Sequence, residues 1–335
     1  MKRYLSISLI ILLSLILVAC GGGEKSEKQE EQVKSDSEAK KVSLFLDWTP
    51  NTNHTGIYVA KEKGFYEEVG LDLEVLLPGE VSAEQLVATN KGEFGISFQK
   101  QVTQARAEDL PVISVAAIIQ HSTSGYASPV EKGIETPKDF VGKVYGAYGS
   151  EMEELMINLV MERDGASVED VDIVQLGNSD FFVATQKDID FVSIFYGWTG
   201  IEAEIRDVEL NFIEDTEYAE ELDTYSPVII TNDNLIKEDP ETVQAFVEAT
   251  LKGYEFAIEN PEEAAEILIA AEPDLDPELV KRSQEWLSPR YQDDAEIWGI
   301  QDLDRWETFT KFLYENDIID KDIDASEAFT NEFIE

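Results

Sequence analysis

Between Val42 and Thr231 short apolar runs alternate with stretches of helical periodicity, and that alternation confines the chain to few folds. Residues 42–46 are expected to form a strand, and Leu71, Leu73, Val75 and Leu77 recur at the strand period of two. Residues 94–98 and 112–119 read as two more strands, with helices expected over 81–90 and 101–108. Strands and helices in this order build a parallel sheet with crossover connections. Residues 120–138, dense in Ser, Thr, Gly and Pro, are predicted to carry the chain into a second series. There 144–147, 171–176, 191–195 and 210–213 are strands, and Ser150 with Glu153 caps a helix. Residues 224–227 are predicted to return the chain to a strand at 228–231. From Asp239 onward it is helical, with Asp239-Pro240 and Asn260-Pro261 each placing a cap before an N1 proline. The expected fold class is therefore α/β in two lobes with two interdomain crossings. Lobe I is discontinuous, 42–128 with 228–335, lobe II is 129–227, and a hinged cleft separates them.

Lys2-Arg3 and the apolar run 5–19 make the charged and hydrophobic regions of a signal peptide, too short for a comfortable membrane span. The run ends in Leu17-Val18-Ala19-Cys20-Gly21, which resembles the lipobox of bacterial lipoproteins, so residues 1–20 are expected to end at a lipidated Cys20. The protein would then sit on the outer face of the cytoplasmic membrane, touching it through the lipid alone. Cys20 is the only cysteine, which leaves no internal disulfide and no thiol chemistry. Residues 21–41 are polar and read as a flexible tether. Beyond it, residues 42–335 carry 19 basic and 64 acidic side chains, a net of −45. Such a surface repels nucleic acid and anionic headgroups, and suits a saline or alkaline medium outside the cell.

Open α/β sheets bind ligands at the carboxyl ends of their strands. The segments following strands, 47–58, 97–101, 121–128, 148–154, 196–202 and 224–227, are therefore expected to face the cleft. They hold one basic residue, Lys100, against Asp47, Glu151, Glu153, Glu154 and Glu202. A cationic ligand, or a neutral one rich in N–H donors, is favoured over an anion. The same segments hold Trp48, Tyr58, Tyr126, Tyr148, Tyr196, Trp198 and Tyr225, faces on which a flat heteroaromatic ring can stack, although about half are expected to line cores. Asp47 ends a strand and can accept ring amino donors. Glu202 either does the same or is a solvated helix acid. His54 either donates to a ring nitrogen or caps a helix start, and Asn51 and Ser97 would complete the polar ring. His121 lies in the first crossing with no assigned purpose. Two distant histidines, no usable Cys, no Gly-rich phosphate loop and no HExxH motif point to no triad, no metal site and no cofactor.

The stretches Asp47-Trp-Thr-Pro-Asn-Thr-Asn-His-Thr-Gly56, Lys63-Gly-Phe-Tyr66, Gly70-Leu-Asp-Leu73 and Tyr196-Gly-Trp-Thr-Gly-Ile-Glu202 resemble the thiamine-pyrimidine group of ABC-importer substrate-binding proteins, in the NMT1/THI5-like superfamily. The resemblance covers residues 42–335 and implies a type II periplasmic-binding fold. It also implies formylaminopyrimidine or hydroxymethylpyrimidine as ligand, a cognate ABC permease as partner, and a monomer. Relatives that bind riboflavin supply an alternative ligand. A fungal pyrimidine synthase of the same superfamily supplies a remote enzymatic one. By that resemblance the synthase's donor histidine falls on Gln101, its cofactor lysine on Ser97, and its cysteine-rich motif near Thr224 to Pro227, where this chain has no Cys. These departures point away from an enzyme.

Overall fold

The structure is a computed structural model that describes residues 39–335 except 78, 80, 150, 178 and 335. The signal segment, Cys20, most of the tether and the Ser150 cap lie outside the described residues. Two five-stranded sheets organise the rest. The first contains β1 (Lys40–Phe45), β2 (Leu71–Leu76), β3 (Phe94–Ser97), β4 (Val112–Ala117) and β10 (Val228–Asn232), in the order β2-β1-β3-β10-β4. The second contains β5 (Ser124–Pro129), β6 (Val144–Ala147), β7 (Asp172–Gln175), β8 (Phe191–Phe195) and β9 (Leu210–Glu214), in the order β7-β6-β8-β5-β9.

Three expectations change. Strand β1 begins at Lys40, inside the segment read as tether, because Lys40 pairs with Leu71 in parallel register and its ammonium meets Asp239. Neither sheet is wholly parallel: β10 runs antiparallel to β3 and β4, and β5 runs antiparallel to β8 and β9. Both exceptions are the first strand after a crossing. A strand that starts at the interlobe boundary must run away from it, whereas β1, β3, β4, β6 and β8 run toward it. Third, β5 occupies 124–129, a stretch read as loop, so the boundary expected at 128/129 falls inside a strand and the chain changes sheet at 120–123. Nor is 228–335 confined to the first lobe. Helix Leu303–Glu315 buries Phe309, Phe312 and Leu313 in the same core as Tyr126, Phe140 and Phe191.

The first core is built around Leu44, Phe94, Ile96 and Ile229, all fully buried. Helices Thr55–Glu62 and Pro240–Glu259 cover it. They approach closely because each carries a glycine at the crossing. A Cβ on Gly253 would stand 2.0 Å from the Gly56 carbonyl oxygen, and one on Gly56 would meet the Tyr254 ring at 2.3 Å. This contact fixes where the β1–helix loop, residues 46–54, can lie.

Candidate functional site

The loop after β1 is held from behind by three hydroxyls. Tyr254 donates to the Asn53 carbonyl at 2.6 Å and Tyr291 to the Thr52 carbonyl at 2.5 Å. The Thr52 hydroxyl donates to Ser283 at 2.6 Å, and Ser283 in turn donates to the carbonyl of Gly197 in the second lobe. Helix Pro277–Leu287, which carries Ser283, thus bridges the lobes. Sequence patterning could not identify these partners, which lie about 200 residues or more from the loop they restrain.

Within the loop, Asn51 is a buried cap whose side-chain oxygen accepts the Asn53 N–H at 2.8 Å. Its backbone N–H donates to Nδ1 of His54 at 3.2 Å. Nδ1 is therefore the acceptor nitrogen, Nε2 carries the proton, and Nε2 donates to Oδ1 of Asp47 at 2.8 Å. The His54 side chain is fully buried and that of Asp47 is 10% exposed. Oδ2 of Asp47 makes no hydrogen bond among the described residues. The loop thus presents one oriented carboxylate oxygen at a strand end, beside a Trp48 that is 54% exposed. Tyr148, at the carboxyl end of β6 in the other lobe, is 49% exposed. Each lobe therefore offers one open ring beside the carboxyl end of a strand.

Each of the remaining expected site residues has further contacts of its own. Ser97 is buried and donates to the Glu84 carboxylate. Tyr225 is buried, its phenol oxygen accepts the Asp302 N–H at 2.7 Å, and Arg305 lies over its ring. Trp198 packs against the cluster of Tyr58, Leu268 and Val280, pinning the turn Tyr196–Gly200 to first-lobe helices. Tyr196 lies against Phe212 and Trp286, its hydroxyl donating to Glu204 at 2.8 Å, and Glu202 pairs with Arg206 one turn on. Tyr126 has its ring in the second core.

The interlobe floor carries further groups. Phe98 and Phe195 stack across the lobes at 6.0 Å. Lys100, second residue of helix Gln99–Ala107, makes no ion pair or hydrogen bond among the described residues. Burial pushes its ammonium below the ordinary value, against the pull of Asp215 and Glu153. Asp215, following β9, is 2% exposed. Burial raises it to about 7, against the Ser124 hydroxyl, which donates to Oδ2 at 2.6 Å, and the Lys100 charge. Its Oδ1 is buried without a partner.

Two other features lie off this floor. A cavity of about 670 Å³ on the flank of the second lobe is lined by Val130, Tyr196, Glu204, Asp207 and Arg282, and the last pairs with Glu204. It sits away from the carboxyl ends of β1, β3 and β6. Among the described residues His121, Asp293 and Asp294 bring ligand-type atoms within 4.8 Å of one another, but both His121 nitrogens are already spent on Asp223 and Asp294.

Residues 51–264 match the model of the family described as NMT1/THI5 like. The chain belongs to that family. Among its relatives, a formylaminopyrimidine-binding protein of Halalkalibacterium halodurans is 28% identical over 340 residues, covering 99% of each chain. A 4-amino-5-hydroxymethyl-2-methylpyrimidine phosphate synthase of Legionella pneumophila is 27% identical, covering 88% of this chain and 92% of its own. The solved periplasmic aliphatic sulphonate binding protein SsuA of Escherichia coli superposes with a TM-score of 0.67 at 13% identity, over 87% of this chain and 92% of that one. The two-lobed fold of this family member is thus the type II periplasmic-binding architecture. No helix of its described residues is long and apolar enough to cross a membrane.

Proposed function

We propose that this protein is an extracytoplasmic solute-binding component of an ABC importer that captures a thiamine pyrimidine precursor, formylaminopyrimidine or hydroxymethylpyrimidine, between its lobes. The observation that carries the reading is the Asp47 carboxylate, oriented by buried His54 and set beside the open ring of Trp48. A 4-aminopyrimidine offers an exocyclic N–H to that carboxylate and a flat face to Trp48, with Tyr148 closing from the other lobe. Closure follows because the closed form gains contacts from both lobes, which shifts the open–closed equilibrium toward it. The loaded form then docks on a permease, with Cys20 lipidated to hold the protein at the membrane.

The Halalkalibacterium relative's name supports binding, and the Legionella relative's name keeps a synthase in view. Binding is favoured by the residues present. Ser97 and Gln101 offer neither an amine nor an imidazole, and the segment 224–227 has no thiol. Calorimetric titration with aminopyrimidines and riboflavin tests the reading. Binding of an aminopyrimidine with no product formed supports it, whereas riboflavin binding alone, or turnover of the pyrimidine, overturns it.

A further inference from the structure

Lys100, Tyr126 and Asp215 come from both lobes and converge on the interlobe floor with hydrogen-bonding capacity left over. Lys100 stands at the carboxyl end of β3 in the first sheet. Tyr126 and Asp215 belong to β5 and the end of β9 in the second, paired strands whose register sets Tyr126 opposite Ile213. The Tyr126 ring is 4% exposed, yet its hydroxyl makes no hydrogen bond among the described residues, and the charges of Asp215 and Glu153 both act on it. Lys100 feels the same two carboxylates. Glu153 is committed to other work: it accepts from the Tyr145 hydroxyl at 3.0 Å and from the Tyr148 and Gly149 N–H groups. Asp215 accepts from the Ser124 hydroxyl through Oδ2 and is also held by the Thr216 N–H, while its Oδ1 is buried without a partner. A buried acceptor without a partner is costly, and a ligand that brings an N–H to it relieves that cost.

We propose that Lys100, Tyr126 and Asp215 form a second anchor that reads the ligand's side arm and selects a secondary amide over an alcohol. The donor count sets this choice. Two donors, the Lys100 ammonium and the Tyr126 hydroxyl, suit one carbonyl oxygen with two lone pairs. One acceptor, Oδ1 of Asp215, suits an adjacent N–H. A formylamino arm presents that oxygen and that N–H on separate atoms. A hydroxymethyl arm has a single oxygen to serve as both acceptor and donor, so it leaves part of the set unmet. Because Lys100 and Asp215 lie in different lobes, an arm that joins them also links ligand recognition to closure.

The inference rests on the pyrimidine reading, and one experiment separates the two. The full-length protein, its Lys100→Met and Asp215→Asn variants, and Trp48→Ala are titrated calorimetrically with the formylaminomethyl and the hydroxymethyl aminopyrimidines, with circular dichroism confirming folding. Wild type is expected to prefer the formylamino ligand. Lys100→Met and Asp215→Asn should each lose about 10- to 100-fold for it and less than about threefold for the hydroxymethyl ligand. Trp48→Ala should weaken both alike. Variants that lose equally for both ligands, or lose nothing, overturn the side-arm anchor and leave the pyrimidine reading standing. A wild-type protein that binds neither compound overturns both.

Discussion

His54 and Asp47 form a buried donor–acceptor pair, 2.8 Å from Nε2 to Oδ1, in which the imidazole's other nitrogen is occupied by the Asn51 backbone N–H. The histidine thus closes a capping box with Asn51 at the helix start and spends its Nε2 proton on Asp47. It orients the carboxylate. Replacing His54 with Ala removes that constraint and leaves the Asn51 N–H without its acceptor. The expected cost is about 1–3 kcal/mol of stability and about tenfold in affinity. His54→Gln, which keeps a side-chain amide, should recover part of both. Calorimetry paired with thermal melts checks this, and unchanged binding in His54→Ala would remove Asp47 from the site.

Trp48 separates binding from stability. With 54% of its surface open, truncation costs the fold little, within about 0.5 kcal/mol. A ligand that stacks on the ring loses about 1–3 kcal/mol of affinity in Trp48→Ala. Fluorescence titration measures the wild type and calorimetry both proteins. A melting temperature that collapses while affinity holds would make Trp48 a structural residue.

The fold was largely legible because strand and helix periods are local properties. Residues 144–147 and 191–195 coincide with β6 and β8, and both proline-led helices begin where Asp239-Pro240 and Asn260-Pro261 place them. Strand β5 was not legible. Ser124-Gly-Tyr-Ala-Ser-Pro129 lacks branched residues and takes its extended form from neighbours on both sides. The proposed site rests on Asp47 and Trp48, where a strand end and an open ring are visible in one segment. The packing of Tyr225 and Trp198 was not legible, since nothing local says whether a ring faces a gap or a core. Asp215 was missed for the converse reason. Its neighbours Lys100 and Ser124 are distant in sequence, and one more acid in so acidic a chain carries no signal.

The Gly56–Gly253 crossing gives a prediction about stability. A methyl on Gly253 would stand 2.0 Å from a backbone oxygen, which cannot rotate away, so the two helices must separate. Gly253→Ala is expected to cost about 1–3 kcal/mol by overpacking, where the same change on an exposed helix face would stabilise. Because Tyr254 follows directly and holds the Asn53 carbonyl, affinity should fall along with stability. Urea melts and titration of the variant test both effects, and a Gly253→Ala protein as stable as wild type would sink the close crossing.

The hinge supplies the pH dependence. His121 in the first crossing faces Asp223 in the second at 2.8 Å and Asp294 at 3.1 Å, with Arg305 3.2 Å from Asp223. Two carboxylates only accept, so the imidazole serves both best as a cation. The hydrogen bond to Asp223, against partial burial and the Arg305 charge, raises it from an ordinary 6.5 to about 9. A group raised on folding contributes stability that is fully present below its unfolded value and is lost as pH climbs through the folded one. The contribution is therefore complete below about pH 6.5 and gone above about pH 9. With 37% of the side chain open to solvent, screening holds it to about 1 kcal/mol. His121→Gln should melt below wild type near pH 6, and the two curves should converge by about pH 10. Melts across that range decide it: a gap that stays constant, or widens with pH, would mean that the imidazolium does not tie the crossings together.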